Sequence, residues 1–523
     1  MANLFVKKPL SQLLAQAASG ESGLKRTLTA VNLVALGIGA IIGAGLFVRT
    51  AAASYEAAGP AVTLSFVVAA IGCAFAGLCY AEFAAMIPIA GSAYTYAYAT
   101  MGELVAWIIG WALIMEYALG AATVSIAWSE YLNKLLGGGI PYEWSHSPLE
   151  HINQVVGLSK ISQFPAEIAK TAKEGILALT DTQVASLPDT LRGLVESHSG
   201  IMNAPALIIL LALTLLLIRG TQESATVNGI IVAIKVSIVL IFIALGWQFI
   251  NPANHTPYMI PEGVAGHEGF FKHGVGGIVG GAAIVFFAFI GFDAVSTAAQ
   301  EAKDPAKDMP IGILGSLVVC TILYVLFSHV LTGVSNWTEF GGAGKEASVT
   351  YAIQNHMPGY GWLATAVTVA ILAGFSSVIL VMLMGQSRVF YSMANDGLLP
   401  KIFSELHPTY RTPYKSNWIL FVFVGLFAAF VPGSMAGDLT SFGTLLAFVL
   451  VSIGVFIMRR SDPDVARPFR APLIWLVAPL GVIICGGMII ALDPTTLKAA
   501  FAWMALGLVV YFAYSSKTSN LQK

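Results

Sequence analysis

The sequence predicts an all-α integral membrane protein of twelve spanning helices, and three observations predict it. Of 523 residues, 57% are hydrophobic and only 11% are charged, where about a quarter is normal for a soluble domain. The apolar residues fall in long unbroken runs near the ~20 residues that a spanning helix needs, not in the ~10-residue alternating stretches of a β-barrel. Two of those runs, the first and the sixth, are interrupted by glycines. The balance of 27 basic to 28 acidic residues leaves no net field for nucleic acid, and the apolar fraction excludes disorder.

Taken in order, a polar segment (1–28) with Lys7, Lys8, Lys25 and Arg26 precedes the first run. It is too long for a cleaved signal peptide, so the first helix stays as an anchor. Spans follow near 29–53, 61–87, 104–136, 203–219, 227–250 and 277–300. A second set lies near 311–335, 360–394, 416–432, 439–458, 472–492 and 499–516. With the N-terminus inside, roughly seventeen Lys and Arg fall on the inner side, about nine outside and one within a span, the bias of cytoplasmic loops. Both termini are then cytoplasmic. The long polar insertion 137–202 falls outside, where Ile161, Phe164, Ile168, Ile176, Leu177 and Leu179 alternate with charged residues. That pattern predicts short amphipathic helices capping the outer mouth. Cys73, Cys79, Cys320 and Cys485 all sit in apolar runs, so neither a disulfide nor a metal site is expected.

Span one reads Leu36-Gly37-Ile38-Gly39-Ala40-Ile41-Ile42-Gly43-Ala44-Gly45-Leu46-Phe47. Each glycine weakens a helix by about 1 kcal/mol relative to alanine, so the segment is poised to break. Close packing is the other reading, because Gly39 and Gly43 form a GxxxG pair. Span six, with Gly276-Gly277-Ile278-Val279-Gly280-Gly281 and then Phe286-Phe287-Ala288-Phe289-Ile290-Gly291-Phe292-Asp293, decides for a break. Interruptions in the first helix of each half point to an inverted repeat with a solute site at the midplane. Unwound backbone must line a cavity that supplies partners, and a zwitterion fits. Free N–H groups near Gly43, Ala44 and Gly45 suit a carboxylate, and carbonyls near Ile41, Phe286 and Phe287 suit an ammonium.

Three charges stay inside the membrane. Lys235 lies about eight residues, roughly 12 Å, from the inner end of span five, deeper than its side chain can snorkel. A charge there costs about 3 kcal/mol or more unless paired, so it faces the protein and is a candidate for proton coupling; a permanent structural pair is the alternative. Glu116 in span three and Asp293 in span six could each pair with Lys235, bind a cationic side chain, or pack as protonated groups. For Asp293, capping or orienting the broken helix is the expected role. Glu82, Glu103, Glu130 and Glu301 lie nearer span ends, where solvated faces are expected. Met382 in span eight can fill pocket space or simply pack.

Four motifs carry a family resemblance. They are Gly37 to Phe47, Ala90-Gly91-Ser92-Ala93-Tyr94-Thr95-Tyr96, Phe289-Ile290-Gly291-Phe292-Asp293-Ala294-Val295 and Asp396-Gly397-Leu398-Leu399-Pro400. Over nearly the whole chain except 137–202, the sequence resembles the amino acid–polyamine–organocation superfamily, in its bacterial cationic amino acid transporter branch. The resemblance implies a five-plus-five inverted repeat (29–458) of the kind shared with sodium-coupled neurotransmitter transporters, two accessory helices (459–516) and a tail (517–523). It implies that Ile41, Gly43, Ala44 and Gly45 contact the carboxylate and amine of the substrate, with Phe287 and Ile290 on the span-six side. Glu116 and Met382 match pocket positions, Gly291 and Asp293 the span-six break, and Lys235 the ammonium that replaces a bound cation in proton-coupled relatives.

The function expected is a secondary transporter of the plasma membrane that imports an L-amino acid with a proton by alternating access. Small neutral amino acids are favoured over cationic ones because Met382 competes for the volume of a long side chain. An exchanger, a polyamine transporter and a non-transporting sensor remain alternatives. A membrane-embedded enzyme is not expected, since no HExxH, GxSxG, GxxxxGK[ST] or paired-cysteine motif occurs. A channel would call for a repeated pore ring. No cofactor is expected; the partners are the amino acid, protons and the lipid bilayer.

Overall fold

The structure is a computed structural model that describes all residues except 1–3, 14–27, 89–91, 157, 167, 170–178, 220–224, 300–301, 343–346, 411 and 523. Lys25, Arg26, Ala90, Gly91, Lys170, Lys173, Ile176, Leu177 and Glu301 lie outside the described residues. Among the described residues, eight helical stretches of at least 18 residues are apolar enough to cross a membrane, and shorter apolar helices accompany them at Ala30–Ile41, Ala204–Arg219, Tyr414–Phe430 and Ile474–Ile490.

Helix α1 (Ala30–Ile41) starts at a capping box in which Thr29 and Asn32 satisfy each other's backbone N–H groups. It stops at Ile42, whose backbone is extended, and helical structure resumes with a wide turn at Gly45–Arg49. A left-handed Gly59 then turns the chain into α2 (Val62–Met86). The third apolar run is continuous from Glu103 to Leu135, widened by a π-turn at Met115–Leu119. The sixth runs as a helix over Gly274–Val285, tightens at Phe286–Phe289 and reverses at Gly291, where φ is +113°. Small residues let these pieces approach. A Cβ on Gly37 would lie 2.5 Å from Ser316 Oγ, and one on Gly45 only 2.2 Å from Ala288 Cα. The first run therefore breaks, and its closest approaches fall at Gly37 and Gly45, while Gly43 of the GxxxG pair meets only Val378 at 3.3 Å.

The two ends of the described chain meet on one face. Lys8 pairs with Asp396 at 2.9 Å, Asn520 N–H donates to Asp396 O, and Tyr98, Tyr511, Ser519 and Gln522 all donate to the Glu103 carboxylate. The expectation that Glu82 and Glu103 are solvated is overturned. Glu82 is buried and receives Arg459 Nε at 2.9 Å and Ala471 N–H at 2.9 Å, with Arg467 Nε 3.5 Å away. Tertiary neighbours supply the donors that water was expected to supply, so the carboxylates can be buried.

The insertion lies on the opposite face and adds one strand pair to a mostly helical chain. His151–Val155 and Val195–Ser199 form an antiparallel pair, and Ile161, Phe164 and Ile168 join Val155, Leu179 and Leu187 in a small core of their own. Ile161, Phe164, Ile168 and Leu179 thus face the inside of a small subdomain. Two loop helices, Ser92–Thr100 and Ser348–His356, were not expected from hydropathy because they are too short or too polar to register as spans. All four cysteines are buried and free.

Candidate functional site

The two interruptions meet inside the bundle. Tyr324 Oη, from the Pro305–Val334 helix, lies 3.0 Å from Ile41 O and 2.8 Å from Ala288 O, so one hydroxyl proton ties both broken segments. Gly291 packs against Ala40, where an added Cβ would lie 3.0 Å from the Ala40 carbonyl. Gly43, Ala44 and Gly45 open the turn that follows, where the first N–H groups of a helix have no partner within it. Of the carbonyls expected to be free, Ile41 O receives the Tyr324 hydroxyl and Phe287 O receives Ile290 N–H at 3.3 Å; each keeps a second lone pair. Ile41, Ala44, Phe287, Ile290 and Met382 are all buried. Met382 Sδ sits against Gly120, beside Thr440.

Lys235 is buried and reaches the first span. Its Nζ donates to Gly39 O at 2.9 Å and to Ser377 Oγ at 3.1 Å. An ammonium on a helix carbonyl is a charge-assisted bond, about twice as strong as a neutral one. The contact lands two residues before Ile41, so one side chain bridges the Ala225–Gly246 helix, the broken span and the Gly361–Asn395 helix. Gly374 makes room for it: a Cβ there would lie 2.8 Å from Lys235 Cε.

Glu116 stands in the π-turn of the third run, a distortion that often marks functional positions. It neighbours Asp293 and Thr444. Asp293 Oδ2 accepts the Tyr117 hydroxyl at 3.0 Å, and its side chain makes no capping bond to the turn that follows. Asp293 thus ties span six to span three, a contact that orients the segment after the break. Both Glu116 oxygens, Asp293 Oδ1 and both amide atoms of Gln386 are buried without a hydrogen-bond partner among the described residues.

Toward the insertion, Arg49 forms a buried ion pair with Asp438. Tyr131 and Ser348 hydroxyls donate to Phe47 O at 3.1 and 2.9 Å. Sequence reading missed Tyr324, Ser377, Tyr117 and the Arg49–Asp438 pair. Only Arg49 carried a signal, as an arginine inside the first apolar run.

Two broken helices that meet at a buried polar centre, within a bundle of long apolar helices, define a multi-pass membrane carrier. The chain belongs to the amino acid permease family, whose model matches residues 28–514. It is 41% identical to the branched-chain amino acid permease BcaP of Bacillus subtilis (strain 168), covering 100% of this chain and 99% of that one. It is 36% identical to the methylthioribose transporter of the same bacterium over 100% of both chains. It is also 32% identical to vacuolar cationic amino acid transporter 2 of Arabidopsis thaliana, over 88% of this chain and 64% of that one. The protein is an amino acid transporter of the membrane and not an enzyme.

Proposed function

We propose that the chain imports neutral aliphatic L-amino acids across the plasma membrane by proton symport. It does so by rocking a five-plus-five inverted repeat, followed by two accessory spans, around a midplane site. The observation that carries this reading is the joint between the broken spans, where Tyr324 links Ile41 O to Ala288 O and Lys235 holds Gly39 O from the neighbouring helix. N–H groups of Gly43, Ala44 and Gly45 receive the carboxylate, and the second lone pairs of Ile41 O and Phe287 O receive the ammonium. Ile41, Phe287, Ile290 and Met382 form the apolar wall for the side chain. The name of the Bacillus subtilis branched-chain permease supports an aliphatic substrate. Loss of the Lys235 proton weakens its bond to Gly39 O and frees the first span to tilt, which couples proton release to substrate release. Glu116 and Asp293, side by side, can share a second proton. The meeting of both chain ends on one face and the Lys and Arg bias support an even number of spans with cytoplasmic termini.

Uptake of labelled amino acids into proteoliposomes, with and without an inward proton gradient, tests the proposal. Gradient-driven accumulation of a neutral aliphatic amino acid is expected, and no accumulation of any amino acid would reject it. Because one relative is named for methylthioribose, that solute belongs in the competition panel, and its preference over leucine would overturn the substrate assignment.

A further inference from the structure

On the face of the insertion, a cavity of about 180 Å³ opens directly above the first break, with Ala44 in its lining. A single water needs only ~10–15 Å³, so the space is at least a dozen times that and admits a small organic solute. Phe340 supplies apolar wall, and the charged residues of the lining are Arg49, Glu56, Glu130 and Glu150. Glu150 comes from the 137–202 insertion, and Ser147 fixes its carboxylate by donating N–H and hydroxyl at 3.2 and 3.4 Å.

Arg49 is 2% exposed, and one arm of its guanidinium is taken by Asp438. Its Nε is buried and has no hydrogen-bond partner among the described residues. A buried charged donor without an acceptor is costly, and an incoming carboxylate removes that cost. Asp438 already balances the Arg49 charge, so Glu56 and Glu150 leave the cavity negative and suited to an ammonium. The geometry points to a second, outer binding site, in which one zwitterionic amino acid is held between Arg49 and the glutamates before it passes Ala44. The insertion thereby takes part in binding, because its Glu150 completes the amine side of the site. The inference rests on the reading of the chain as an importer with this face outside.

Equilibrium binding and uptake of labelled L-leucine by the full-length protein test it, with L-alanine in its place should the panel favour alanine. Wild type should bind two molecules per chain, and the Glu56→Gln, Glu150→Gln double variant one. Glu150→Gln alone keeps the acceptor for Ser147 and loses the charge. It should raise the half-saturation concentration of uptake about fivefold, the equivalent of ~1 kcal/mol for one partly exposed charge contact, with maximal rate unchanged. N-acetyl-L-leucine, which lacks the ammonium, should not displace the outer molecule. One molecule per chain in wild type, or two in the double variant, overturns the outer site while leaving transport intact. No uptake by wild type, together with a drop from two bound molecules to one, rejects the transport reading and upholds the site.

Discussion

Replacing Lys235 with methionine keeps the aliphatic bulk that fits beside Gly374 and removes the ammonium. The structure sets the size of the loss. Nζ makes bonds of 2.9 Å to Gly39 O and 3.1 Å to Ser377 Oγ, and hydrogen bonds from a charged donor contribute about 1.5–3 kcal/mol each. The tie between the fifth helix, the broken span and the eighth therefore weakens by about 3–6 kcal/mol, partly offset because the variant no longer desolvates a charge. The assay is leucine accumulation in proteoliposomes whose lumen is one pH unit above the bath. One-to-one proton coupling sustains up to about tenfold accumulation, since one pH unit corresponds to ~1.4 kcal/mol. Lys235→Met should plateau at equal concentrations inside and out while still exchanging labelled for unlabelled leucine. A tenfold plateau in the variant would refute the coupling argument, because it would show that the gradient acts without this amine.

Four further outcomes are expected. Gly45→Ala should abolish uptake in a protein that still reaches the membrane, because its Cβ would press on Ala288 backbone, an overpacking cost of about 3 kcal/mol; Gly43→Ala, which meets only Val378 at 3.3 Å, should keep measurable uptake. Glu82→Gln should lower the melting temperature in detergent, since it leaves Arg459 and Arg467 without their carboxylate. The cost is about 3 kcal/mol, the low end for breaking a buried pair because 22% of the Arg459 side chain is exposed. Met382→Ser should open space beside Gly120 and Thr440 and let arginine compete with leucine; unchanged competition would remove Met382 from the pocket. In the Trp337–Gly341 loop, burial pushes the Glu339 carboxyl up, but the His356 bond at 2.7 Å, the His356 charge and Tyr351 outweigh it, leaving it below its ordinary value of 4.5. A depressed folded-state value stabilises above the ordinary value and loses that stabilisation as pH falls through the folded one. The melting-temperature gap between wild type and Glu339→Gln should close as pH falls below about 4.5.

The sequence by itself determined the membrane class, the approximate limits of the apolar helices, the two interruptions and the burial of Lys235. Each follows from a local property: run length, glycine content, or distance along one helix from its end. The segments near 61–87, 104–136 and 203–219 are observed as Val62–Met86, Glu103–Leu135 and Ala204–Arg219 for that reason. Only the tertiary structure decided which groups complete those features. Tyr324 lies 283 residues from Ile41, Lys235 lies 196 from Gly39, and Arg49 lies 389 from Asp438. A pattern read within one helix carries no information about a donor arriving from another. The same limit misplaced Glu82 and Glu103, since position near a span end says nothing of the arginines, tyrosines and tail residues that fold over them. It also hid the strand pair of the insertion, whose pairing of His151 with Ser199 exists only once the chain has turned back on itself.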